Sequence, residues 1–165
     1  MPPYFLYTIE QTAFSGWVRD SPSIFGFWFI ISCHAIGMAL LVGASAVIDL
    51  RILGVARDLP LSMLKRLYPI IWAGFWIQVI SGAVLLIGYP TKSLMTPAFY
   101  VKIAFIAAAM VVMVRVARKL PPQASPEAPG LAHLKPLAIW SAILWFGAIA
   151  AGRLIAYTAK FITYP

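Results

Sequence analysis

The chain has 165 residues, 62% of them hydrophobic and only 11% charged, with a mean hydropathy of +0.87. A soluble domain of that composition would expose apolar surface and aggregate, so soluble enzymes and nucleic-acid-binding modules are excluded, despite a formal net charge of +8. The length accommodates about four bilayer spans of ~20 residues in one domain.

The N-terminus, MPPYFLYTIEQTAF, lacks a basic segment followed by an apolar core, so no cleavable signal peptide is expected. Residues 4–19 mix polar side chains with Tyr4, Phe5, Tyr7, Phe14 and Trp17, which predicts a short helix in the membrane interface. Asp20, Ser21 and Pro22 form a helix-start signal, and the first span is expected over residues 22–53. Its segment from Phe25 to Val47 carries no formal charge and one histidine, His34. The neighbouring Cys33 is the only cysteine, which rules out an intrachain disulfide. Asp49 and Arg51 near the end of this span read as an interfacial ion pair.

The second span is expected over residues 67–86, closed by Gly88, Tyr89 and Pro90. The third is expected over 97–116. A basic, proline-rich connection follows (Pro121, Pro122, Pro126, Pro129), which should be an extended, mobile linker. The fourth is expected over 136–157. The fold class is therefore all-α: an integral membrane four-helix bundle with an N-terminal interfacial helix. The first and third connections and their flanks carry Arg51, Arg57, Lys65, Arg66, Arg115, Arg118, Lys119 and Lys135; the other side carries Arg19, Lys92 and Lys160. By the positive-inside rule both termini face the periplasmic side of a bacterial inner membrane.

An ionisable residue inside a span is costly and marks a functional site by default. At ~1.5 Å per residue, His34 and Gln78 both lie about 15 Å or less from the outer surface, and Lys102 and Arg153 share a shallower layer about 6–7 Å deep. A neutral imidazole in an apolar layer is a good axial ligand for haem iron. Haem b is thus the expected cofactor, with His34 as metal ligand and Lys102 and Arg153 receiving its carboxylates. Gln78 would orient the imidazole, and Gly37, one turn after His34, would let a flat macrocycle approach. Each residue also has a plainer role: a packed, hydrogen-bonded histidine, and cations that snorkel or pair with Glu10 or Asp20. His133 lies near the opposite surface and cannot share an iron with His34. Met38, Met110 and Met113 are second-ligand candidates by type only, since packing is the commoner use of Met.

No phosphate-binding glycine loop, two-cysteine knuckle or nucleophile elbow is present, so no catalytic residues are expected. The segments SGWVRDS, HAIGMALLVGASAVIDLRILG, TPAFYVKIAFIAAA and GRLIAY together resemble an uncharacterised bacterial family of four-helix integral membrane proteins. The single buried histidine is more loosely similar to small b-type cytochrome subunits and copper-resistance membrane domains. That likeness implies a haem-binding or redox-accessory subunit working with other membrane subunits or a periplasmic electron-transfer protein. The alternatives are a structural subunit of a larger respiratory or photosynthetic complex, and a small transporter or metal-handling protein.

Overall fold

The computed structural model describes residues 4–120 and 131–158, and among these every regular element is helical. In chain order they are α1 (Tyr4–Glu10), α2 (Ala13–Asp20), α3 (Phe27–Leu53), α4 (Leu61–Gly88), α5 (Pro90–Leu94), α6 (Pro97–Lys119), a 3-10 turn (Leu131–Leu134) and α7 (Lys135–Thr158). Four helical stretches are long and apolar enough to cross a bilayer: α3, α4, α6 and α7 with its leading turn. This is a multi-pass membrane protein. The proline-rich stretch expected as a mobile linker lies at 121–130, outside the described residues.

Several boundaries differ from the sequence expectation, each for a local reason. The N-terminal helix is two helices, because Thr12 caps a fresh start: its hydroxyl accepts from the Ser15 N–H at 3.3 Å and donates to the Ile9 carbonyl at 2.7 Å. The first span begins at Phe27 rather than at residue 22. The Ser21 and Ser23 hydroxyls take the N–H groups of Ser23 and Phe25, which favours a turn over a helix. It ends where Gly54 adopts φ +90, donating to the Leu50 and Arg51 carbonyls. The second span starts six residues early, at Leu61 after Pro60, so Lys65 and Arg66 are exposed on its first turns. The connection after it folds into the short helix α5.

Packing follows a 3.5-residue repeat. Buried positions include Leu41, Ala44, Ile48 and Ile52 on α3; Ile71, Gly74, Gln78 and Ser81 on α4; Ala109, Met113 and Val116 on α6; and Ala138, Ser141, Trp145 and Ala148 on α7. Steps of three and four residues are the spacing that favours left-handed, shallow crossings. The outward positions are lipid-facing, as Trp28, Ile80 and Phe146 show by their exposure.

The four spans do not close evenly. α3 lies along α4, α6 along α7, and α3 against α7, while α4 and α6 hardly meet. The bundle therefore has a seam between α4 and α6. At one end, the N-terminal face, α1 and α2 cover the end of α4. Ser15 donates to the Gly88 carbonyl at 3.3 Å, and Arg19 reaches Ser15 Oγ at 3.2 Å, Gly88 O at 3.4 Å and Glu10 at 3.5 Å. The Thr91 hydroxyl of α5 donates to Glu10 at 2.6 Å. These contacts satisfy a carbonyl that the helix end leaves open.

Candidate polar site in the seam

The site is set by how closely α3 and α4 approach. A Cβ on Gly74 would lie 2.7 Å from Leu41 N and 2.9 Å from Gly37 O; one on Gly37 would lie 3.0 Å from Gln78 N. Backbone meets backbone there, as small residues permit in membranes. One turn closer to the N-terminal face, His34 of α3 meets Gln78 and Ser81 of α4 side by side.

Both imidazole nitrogens are engaged. Nδ1 is 2.9 Å from Ser81 Oγ, while Nε2 is 2.8 Å from Gln78 Nε2 and 3.4 Å from Lys102 Nζ. Gln78 and Lys102 can only donate through these nitrogens, so Nε2 accepts and Nδ1–H donates to Ser81. Ser81 passes its own proton to the Ile77 carbonyl. Gly82 leaves the space that the ring edge needs, since a Cβ there would lie 3.2 Å from His34 Cε1. Gly152 of α7 likewise clears the Lys102 stem, its would-be Cβ 3.7 Å from Lys102 Cδ and Cε.

His34, Gln78 and Lys102 line a cavity of about 410 Å³ in the half of the seam nearer the N-terminal face. Its rim includes Val79 and Ile103, which face lipid, so it opens sideways into the bilayer. Two polar groups on its wall are left incomplete. Gln78 is 7% exposed, and its Oε1 has no hydrogen-bond partner. Lys102 is an ionisable amine in a span, yet the ion pairs among the described residues are those of Arg19 with Glu10 and Asp20.

Of the residues singled out in the sequence, the structure brings together His34, Gln78 and Lys102. Ser81, which the sequence alone does not single out, completes the group; its place three residues after Gln78 on the buried stripe was the available signal. Arg153 is exposed and does not line the cavity, because Gly152 and Ile155 take that face of α7. Gly37 serves the helix crossing, and the backbone of α4 occupies the space a macrocycle would need. His133 is exposed in the 3-10 turn at the far end. Met110 and Met113 lie in the core. Asp49 and Arg51 do not pair: Arg51 Nε donates to the Leu59 carbonyl at 2.6 Å, and Asp49 turns inward.

Haem fits this donor set poorly. Ser81 orients the imidazole as a ligating histidine is usually oriented, but Nε2 is turned to an amide and an ammonium, and an ammonium repels a metal cation. Among the described residues no group of three or more His, Cys, Asp or Glu could hold a metal ion. No known protein family, curated protein or solved structure matches the chain.

Proposed function

We propose that this protein is a redox-accessory membrane subunit that holds the polar head of a lipid-soluble carrier of the quinone type. The observation that carries this reading is the incomplete polar wall of the side-opening cavity. Gln78 Oε1 is a buried acceptor without a donor, and Lys102 is a half-buried donor without an acid. A quinone oxygen alternates between carbonyl and hydroxyl. Lys102 donates to either form, and Gln78 Oε1 accepts from the hydroxyl. The apolar remainder of the carrier would lie along Val79, Ala83 and Ile103 and continue into the lipid. A fully enclosed cavity would not suit a ligand that arrives within the membrane.

The test is extraction of the detergent-purified protein, followed by absorbance and mass spectrometry of the extract. A quinone at near-stoichiometric ratio is expected. It should be lost in Lys102→Met, and in Ala83→Trp, where an indole takes up space in the cavity. A Soret band that disappears in His34→Ala would establish haem instead. An extract free of both would remove the redox reading and leave a subunit whose polar layer serves packing.

A further inference from the structure

A second set of incomplete polar groups lies at the other end of the bundle. Asp49 is 3% exposed, and neither carboxylate oxygen has a hydrogen-bond partner. Beside it, outside hydrogen-bond geometry, is the hydroxyl of Ser141 on α7, itself fully buried and unpartnered. Tyr68 of α4 lies close enough for its hydroxyl to feel the carboxylate's charge, and that oxygen too is buried without a partner. Ser45, one turn before Asp49, has spent its proton on the Leu41 carbonyl at 2.8 Å. Trp145 Nε1, one turn along α7 from Ser141, is also unpartnered, but a donor N–H takes no part in a cation's shell.

From these groups we infer a sodium site held by Asp49, Ser141 and Tyr68, between α3, α7 and α4. The chemistry favours a hard monovalent cation. The buried, unpartnered Asp49 carboxylate lies on α3, which packs against both α7, with the unpartnered Ser141 hydroxyl, and α4, with the unpartnered Tyr68 hydroxyl, so four oxygens with one negative charge among them are available. A single positive charge neutralises that carboxylate inside a low-dielectric core, whereas a dication would leave an uncompensated charge there. All the ligand atoms are oxygens, so metals that prefer nitrogen or sulfur are disfavoured. Four protein oxygens suit the small shell of Na⁺ better than the larger one of K⁺. Access is short: Asp49 is four residues from the end of α3, about 6 Å along the axis. The Arg51 guanidinium is turned away to Leu59 and does not compete for the carboxylate.

The site is fifteen residues along α3 from His34, about 22 Å, so it stands or falls independently of the carrier cavity. The experiment is thermal unfolding of the full chain in detergent, with NaCl replacing choline chloride at constant ionic strength. The unfolding temperature should rise saturably with Na⁺ and respond much less to KCl. Asp49→Asn should abolish the rise. Should that variant not fold, Ser141→Ala keeps the carboxylate and should raise the half-saturating Na⁺ concentration severalfold. Equal unfolding temperatures in the two salts, a Na⁺ response unchanged in Ser141→Ala, or a response to pH alone would each overturn the proposal.

Discussion

At the scale of single residues, glycines divide sharply by what stands where a side chain would be. Gly74 faces the backbone of α3, with Leu41 N 2.7 Å and Gly37 O 2.9 Å from a would-be Cβ, while Gly43 has nothing within 4 Å. A backbone cannot rotate away as a flexible side chain can, so Gly74→Ala must push the two helices apart. The expected cost is about 1–3 kcal/mol, read as a lower unfolding temperature in detergent. Gly43→Ala should change stability by less than about 0.5 kcal/mol. Sequence reading reached His34, Gln78 and Lys102 because depth in a bilayer follows from counting residues along a helix. It paired Lys102 with Arg153 because depth says nothing of rotation, and Arg153 points elsewhere. It missed the Asp49 group for a different reason. Depth was counted only from the outer surface, and Arg51, two residues on, offered Asp49 a ready partner in sequence.

At the scale of elements, four spans are legible because nothing else accounts for so much apolar sequence. The packing face is harder to read. Lipid and core are equally apolar, so hydrophobic periodicity, the usual guide to the buried face, is almost erased. What survives is the 3.5-residue spacing of small and polar residues, such as Gly74, Gln78, Ser81 and Gly88 on α4. The short helices were less legible, because Thr12 and the serines at 21 and 23 act through side-chain hydrogen bonds that composition does not display. These elements also carry a test. Arg19 ties α2 to the end of α4 through Ser15 and Gly88 and pairs with Glu10 of α1. Removing a group that serves several partners should cost about 1.4 kcal/mol locally. In Arg19→Ala, amide exchange in α1 and α2 should therefore quicken about tenfold, with protection along α3 and α4 unchanged. A uniform loss across the spans would mean that the clasp holds up the whole bundle.

At the scale of the whole molecule, the seam separates the polar groups toward two faces, and the distribution of charge sets the expected orientation of those faces. The side-opening cavity lies toward the face that holds α1, α2 and α5; the Asp49 group lies toward the connection at 54–60. Eight basic residues flank the second face against three on the first, one of which, Lys160, lies outside the described residues. Arg19, moreover, is paired with Glu10, which leaves the first face with still less free positive charge. Translocating eight cations is much less favourable than translocating three, so by the positive-inside rule the second face is expected to be cytoplasmic. Alkaline phosphatase fused after Pro165 should then be active, and inactive when inserted between residues 54 and 60. The reverse pattern would turn the molecule over. With the expected orientation, the cavity opens to the outer leaflet, where a carrier could meet a periplasmic electron-transfer partner. The sodium site would face the cytoplasm, where Na⁺ is kept low, and would fill only if its affinity matched that low concentration. The half-saturating Na⁺ concentration from the unfolding experiment thus bears on topology as well as on the site.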